Sequence, residues 1–284
     1  MKHAFLITAH KDAELVNCLV RQLSFGDVFL FIDLSASELY SDLKSRLSDL
    51  KNVHFIEDRH KVNWSGLSIV QAQNKLLQAA CGNKNYDYIH NLSGQDLLLL
   101  SQQELDNWLI DHGLLEYLEC RSAGNLSWRL KLYSLFRENR NNRKIFLRVV
   151  DIILRIMQFP WMNRKYFSHK EIVMGSNWFS ITGEAAEYVL KIIKENKLEE
   201  KYKYTACPDE HFYQMILNES KFKNRIANYN GRYIKWESNK SSPGIISKDD
   251  YSNLMSKEYI FARKFDRKID SEVIEDVMNN YEKN

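Results

Sequence analysis

The sequence predicts an α/β fold, with a mostly parallel, twisted sheet and helices on both of its faces. Two observations carry that prediction. Short apolar runs alternate with amphipathic segments through the first hundred residues, the pattern of strands joined by crossover helices. The runs also end in polar clusters, at Thr8–His10, at Asp33 and at SGQD (93–96), and sheets of this kind bind ligands beyond the carboxyl ends of their strands.

The elements follow in order. Residues 4–9 form a buried first strand, and 13–23 carry Leu15, Val16, Leu19 and Leu23 at helical spacing. Strands at 28–32 and 53–56 flank a helix over 36–50, and a helix over 66–80 leads to a fourth strand at 86–92. Ser101 and Glu104 make a capping box for a helix opening near Gln102, and 116–120 reads as a further strand. An apolar helix over 145–159 lies inside the basic stretch 121–170. Beyond it come a strand over 176–182, a helix over 184–195, and a helix over 209–217 with Pro208 at its start, where the missing N–H costs nothing. A short strand at 233–236, a helix capped by Ser247 and Asp250, and a last helix over 271–281 complete the chain.

The chain has 284 residues, three prolines and ten glycines, with no repeat and no low-complexity linker, so one domain is expected over 1–284. Its sub-regions are a nucleotide-binding part (1–120), a basic insertion (121–170) and an acceptor and catalytic part (171–284). A hydrophobic content of 44% with 27% charged residues is ordinary globular composition, and a net charge of +3 is too small to imply nucleic acid by itself. The four cysteines form no C-x-x-C pair, which argues against a zinc site and a disulfide framework and favours a reducing compartment. The N-terminus enters a strand at once, and no apolar run is long enough to span a bilayer, so a cytoplasmic location is expected.

Near the C-terminus, FARKFD (261–266) sets Arg263 and Lys264 side by side among apolar neighbours. A planar fork of donors beside a point charge suits a diphosphate. Read with ITAHKD (7–12), NLSGQD (91–96), GSNWFSIT (175–182) and CPDEHF (207–212), this ordered set resembles the core-2/I-branching glycosyltransferase family. That family includes branching N-acetylglucosaminyltransferases and peptide O-xylosyltransferases, and the resemblance covers nearly the whole chain. It implies a GT-A-like version of the α/β fold. It also implies a compact, soluble bacterial member, suited to surface polysaccharide synthesis, since the membrane-anchored animal relatives carry extra segments that this chain lacks.

Glycosyl transfer with inversion needs a base for the acceptor hydroxyl and a stabiliser for the departing nucleoside diphosphate. No D-x-D motif is present to hold a metal on that diphosphate, so other positive charge is needed, and Arg263 and Lys264 are the candidates. The resemblance implies the same metal-free, cofactor-free arrangement, and it places the catalytic glutamate at Glu210. Asp209 beside it reads as a capping or acceptor-contacting residue, and His211 has no second ligand at metal spacing. The resemblance further implies that the Thr8, Ala9 and His10 backbone holds the uracil, that Asp33 reaches the uridine, that Trp64 borders the nucleotide, and that Asp96 sits near the donor sugar.

Two departures stand out. Phe31-Ile32-Asp33 replaces a His-Val-Asp, and Leu97-Leu98 follows Asp96 where the family has an aromatic residue and proline. Asp33 also reads as a strand-end turn former, and Arg263 with Lys264 as a solvated pair. Ser176, Asn177 and Trp178, with Trp236, suit an acceptor sugar, because an indole covers a C–H face while polar groups take hydroxyls. Each of these tryptophans, Trp64 included, reads equally well as cover for the core.

The stretch 121–170 holds twelve Lys and Arg against Glu138 and Asp151. Three readings fit it. It is a solvated insertion whose apolar helix packs on the core, a surface element that touches anionic lipid, or a nucleic-acid contact. The last ranks lowest, since its cations follow no recognised RNA or DNA motif.

The expected function is therefore metal-independent transfer of a sugar, N-acetylglucosamine or xylose, from a UDP-sugar to a glycan hydroxyl with a β linkage. The expected partners are the UDP-sugar donor and a glycan or lipid-linked glycan acceptor. On the second reading of 121–170, that stretch adds a peripheral contact with the inner face of the plasma membrane, and no nucleic-acid partner is expected. The alternative is a non-catalytic nucleotide-sugar or glycan-binding protein of the same fold.

Overall fold

The structure is a computed structural model that describes residues 1–63, 65–139, 141, 144–159, 164–237 and 242–283. The first half follows the expected alternation. Strand β1 (His3–Ala9) is followed by α1 (Ala13–Gln22), β2 (Asp27–Ile32), α2 (Ser37–Arg46), β3 (Val53–Phe55), α3 (Leu67–Asn83), β4 (Tyr88–Ser93), β5 (Asp96–Leu98) and α4 (Gln102–Asp111). Capping sets several boundaries. Asp12 accepts the Leu15 N–H at 3.1 Å to open α1, and Ser101 with Glu104 forms the predicted capping box of α4.

The second half holds β6 (Arg121–Ser122), α5 (Trp128–Lys131), α6 (Ile145–Gln158), α7 (Lys165–Ser168), β7 (Val173–Met174), β8 (Ser180–Thr182), α8 (Gly183–Glu195) and α9 (Leu198–Tyr202). A 3-10 turn (Pro208–Glu210) precedes α10 (Phe212–Asn218), β9 (Arg232–Ile234), α11 (Tyr251–Leu254), β10 (Phe261–Arg263) and α12 (Glu272–Lys283). The Ser247–Asp250 capping box is present ahead of α11.

The main sheet runs β3-β2-β1-β4-β8, parallel throughout except for the antiparallel edge strand β8. Side chains alternate across it, as strand geometry requires. Ala4 and Leu6 of β1 enter one core with α3, α8 and α10, while Phe5, Ile7 and Ala9 enter another with α1, α4 and α12. Helices therefore cover both faces, and the α/β expectation holds. A second sheet, β5-β10-β9, abuts the carboxyl ends of the first, and Arg263 of β10 pairs with Asp96 of β5.

Four readings of the sequence need correction. Residues 116–120 form no strand, because Glu116 and Tyr117 make only single bridges, to Ile226 and Ser180. The strand expected over 176–182 begins only at Ser180, since the Ser176 N–H is taken by the Glu119 carboxylate at 3.2 Å. The helix expected over 209–217 is broken at His211, where the Glu210 carbonyl accepts the Gly175 N–H at 2.9 Å instead of continuing a helical ladder. The segment FARKFD contributes a strand rather than a surface lead-in to the last helix.

Helix α6 also departs from the reading in which it packs on the core. Its inward side is mixed: beside the half-buried Leu147, Val150 and Leu154, Asp151 is buried in ion pairs with Arg137 and Arg155, and Gln158 hydrogen-bonds the Tyr133 backbone. Its apolar side faces solvent, with Ile145 79%, Ile156 68% and Phe159 81% exposed. Among the described residues, no helix is long and apolar enough to cross a membrane.

Candidate active site

The carboxyl ends of β1, β2 and β4 converge, as the topology dictates. The Thr8 carbonyl accepts the Gly94 N–H at 3.0 Å and the Ala9 carbonyl accepts the Asp33 N–H at 2.9 Å, so these three strand ends are tied together. His10 follows directly. Its imidazole pKa is lowered, first by loss of solvent around the ring, then by Lys11, with Lys264 pushing the same way and Asp33 opposing. The Thr8–His10 turn, Asp33 and Lys264 thus share one locale.

Asp33 is buried and already engaged. One carboxylate oxygen accepts the Ser35 N–H at 2.7 Å and its hydroxyl at 2.5 Å, and the other accepts the Val62 N–H at 2.8 Å. This is the turn-forming role weighed for it: the residue anchors the loop that leads to Trp64. Trp64 itself lies outside the described residues.

Arg263 and Lys264 do not form two solvated cations. Arg263 is buried, with Asp96 3.3 Å from one guanidinium nitrogen and the ring of Trp178 stacked at 3.5 Å. Burial lowers the Arg263 pKa, and Asp96 opposes that shift. Its Nε and Nη1 have no hydrogen-bond partner among the described residues. Lys264 is half-buried and carries the charge nearer the surface. Asp96 is fixed by the Ser93 N–H and hydroxyl, both at 2.9 Å, so despite the Leu97-Leu98 departure the SGQD turn is closed by its own side chains.

The segment from Gly175 to Trp178 links this cluster to the proposed base. At one end the Gly175 N–H binds the Glu210 carbonyl, and at the other Trp178 lies on Arg263. Gly175 is packed so closely that a Cβ there would sit 1.9 Å from the Glu119 carbonyl oxygen. Asn177 is turned inward, its amide oxygen accepting from Gln73 at 2.8 Å, which removes the sugar-facing role expected of it. Ser176 is half-buried and its hydroxyl accepts from Asn230 at 2.8 Å. Trp178 keeps an aromatic role, but one face of it serves Arg263 rather than an acceptor. Trp236, 62% exposed beyond β9, makes no ring contact among the described residues.

Glu210 sits on the 3-10 turn with its side chain one-third exposed, and the Arg129 guanidinium donates to its Oε2. Asp209 is its chemical opposite. Its Oδ1 is closed to solvent and unpartnered although the residue keeps some surface, and burial, followed by the Glu210 charge, raises its pKa to about 7. His211 is buried and donates to or accepts from nothing at Nε2. Its Nδ1 lies 2.8 Å from the Val173 carbonyl, and burial takes its pKa down to about 4. Among the described residues, no group of three or more His, Cys, Asp or Glu gathers at metal-ligand spacing.

Two residues of this site escaped the sequence reading. Arg129 was one cation among twelve, and nothing in its spacing ties it to a glutamate 81 positions away. Arg232 is wholly buried beneath the site, donating to the Phe179 carbonyl at 2.6 Å, with burial pulling its pKa down to about 9 and Asp96 the main opposing charge. It lay one residue before the strand expected at 233–236 and carried no motif.

Known proteins are similar in sequence to this chain to different extents. The chain is 22% identical over 271 residues to Xylosyltransferase sqv-6 of Caenorhabditis briggsae, covering 87% of this chain and 32% of that protein. It is 22% identical over 247 residues to the Beta-glucuronosyltransferase GlcAT14A of Arabidopsis thaliana, covering 78% and 51%. The chain thus spans about a third of the length of the xylosyltransferases that it matches. Among solved structures, apo mouse Xyloside xylosyltransferase 1 is similar over 92% of this chain and 97% of that one, at 13% identity and a TM-score of 0.38. The family model described as Core-2/I-Branching enzyme matches residues 3–258, nearly the whole described fold, and the chain belongs to that family.

Proposed function

We propose that this chain is a glycosyltransferase that moves a sugar from a UDP-sugar to a glycan hydroxyl, with inversion and without a metal. The observation that carries the reading is the Gly175–Trp178 bridge. It spans four residues, at most about 14 Å of extended chain, and holds Glu210 at one end and the Arg263–Asp96 cluster at the other. A base and a leaving-group stabiliser must flank a sugar ring at about this separation.

In this reading Glu210 takes the proton from the acceptor hydroxyl as its oxygen attacks the anomeric carbon. The bond to the UDP oxygen breaks on the opposite face. Arg129 donates to Oε2 and so aims the carboxylate, leaving Oε1 for the acceptor. Lys264 meets the diphosphate directly, and the buried Arg263 adds positive charge beneath it. Thr8, Ala9 and His10 line the base-binding end, and Asp33 holds that end in shape. The donor is xylose or N-acetylglucosamine on UDP. Glucuronic acid joins them because of the plant relatives.

The acceptor reading that the structure favours is a lipid-linked glycan, because the α6 face exposed beside α5 is apolar. The test is a UDP-sugar panel assayed with Glu210→Gln in parallel, with calorimetric UDP titration in EDTA. Turnover lost while UDP affinity is kept supports the reading. UDP-sugar binding with no turnover on any acceptor would favour the non-catalytic alternative, and wild-type turnover in the variant would remove Glu210.

A further inference from the structure

The outward face of helix α6 is apolar, although its most buried residue is the ion-paired Asp151. Ile145, Phe146, Ile153, Ile156 and Met157 are each more than half exposed and fall on one face at helical spacing. Arg148 and Arg155 flank one edge of that face, next to Ile152. Between α6 and α5 lies an open cavity of about 740 Å³, within the roughly 300–1,000 Å³ of small-ligand sites. Trp128, Leu132, Ile156 and Phe159 give it apolar walls, and Lys131 and Arg155 line it as well. The Arg155 guanidinium stacks on Trp128 at 3.9 Å.

A solvent-facing apolar stripe with cations along its border, on a helix of 14 residues, matches an element that lies in the plane of a bilayer surface. The charge decides between occupants. Of the twelve Lys and Arg of 121–170, Arg129, Arg137, Arg155 and Lys170 are ion-paired within the fold, which leaves Lys131 at the cavity and Lys144 and Arg148 beside the apolar face of α6. A second copy docking face to face would bring the same cations into opposition, whereas an anionic leaflet complements them.

We propose that α5 and α6 form a binding site for anionic phospholipid of the bilayer. The outer face of α6 enters the head-group region. The cavity takes one acyl chain along Trp128 and Phe159, with the lipid phosphate beside Lys131 and Arg155. The short helix α5 then works on both sides, since Trp128 and Lys131 face the cavity while Arg129 reaches Glu210. Membrane docking would therefore set the base at a fixed height above the leaflet. The inference rests on the lipid-linked acceptor reading for its purpose alone, because lipid binding is measured without donor or acceptor.

The experiment is sedimentation of the full chain with vesicles of phosphatidylcholine, or of equal parts phosphatidylglycerol and phosphatidylcholine. Binding is expected only with phosphatidylglycerol and should weaken with salt. The double variant Ile153→Glu/Ile156→Glu, altered only at exposed positions, should lose roughly tenfold or more in partitioning, with circular dichroism and UDP affinity unchanged. Phosphatidylglycerol spin-labelled on its acyl chain should quench tryptophan emission less in Trp128→Phe than in wild type. Equal binding to both vesicle types, or full binding by the double variant, would overturn the proposal. So would a concentration-dependent dimer that the variant abolishes without any vesicle binding, or DNA retention that the variant leaves intact. Absence of vesicle binding by the wild-type chain, with its UDP titration intact, would sink this site and leave the transferase reading standing.

Discussion

Arg129 and Glu210 meet through a guanidinium-to-carboxylate hydrogen bond across 81 positions of the chain, and that bond holds the proposed base in one orientation. Its neighbour Asp209, one residue earlier, has a shut-in and unpartnered oxygen. Two adjacent carboxyls therefore have separate environments: Glu210 accepts directly from Arg129, whereas burial dominates at Asp209 and the same cation acts on it only weakly.

Replacing Glu210 by Gln keeps the shape and removes the proton acceptor. Its kcat should fall on the order of 10²–10⁴-fold, with UDP affinity within about twofold of wild type. Arg129→Ala should also lower kcat, but Arg129→Lys should restore part of it, since Arg129 acts by aiming Glu210. Single-turnover rates alongside calorimetry separate the two effects.

The diphosphate end should split into a stability residue and an affinity residue. Arg263→Ala removes the nearest cation from buried Asp96 and leaves it the Ser93 hydrogen bonds and the charge of Arg232, which costs up to about 3–5 kcal/mol and should appear as a drop in urea midpoint. Lys264→Ala should leave that midpoint nearly unchanged while weakening UDP roughly tenfold. If Lys264→Ala binds UDP like wild type, Lys264 has no diphosphate role.

Asp209 makes stability depend on pH. Its folded pKa, about 7, lies above the ordinary carboxylate value of about 3.9. Between these values the unfolded chain has released a proton that the folded chain still holds. The contribution of Asp209 should therefore be full below about pH 4, fall as pH rises to about 7, and then level off. Asp209→Asn should flatten that fall and be the more stable protein at pH 8. Urea titrations of both proteins across this range are the check.

Turnover should survive EDTA. Activity that disappears in EDTA and returns with added Mn²⁺ would overturn the metal-free proposal and send the search to the acidic residues around the strand ends.

The parallel sheet was legible because each buried strand is a short apolar run bounded by polar residues, as in 28–32 and 86–92. The C-terminal part was harder to read. β10 is only three residues long and contains a buried arginine, so period and polarity both hid it. The break at His211 depends on a carbonyl partner, Gly175, from far along the chain. Of the site, the individual motifs were readable but their contacts were not. Asp96, Trp178 and Arg263 were each singled out for a ligand, and the structure joins Asp96 and Trp178 to Arg263. Asn177 shows the same limit, since a polar residue beside a tryptophan has no sequence mark of whether it faces inward or outward.

Gly175 has a further consequence. With the Glu119 carbonyl oxygen only 1.9 Å from where a Cβ would stand, any side chain there displaces the link between Glu210 and Trp178. In the proposed reaction, the gap available to a sugar is thus gauged by a position without a side chain that touches neither donor nor acceptor. Substitution at Gly175 would alter turnover while every reacting group stayed chemically intact, so sequence drift at this one site can detune the enzyme without leaving a trace in its functional residues.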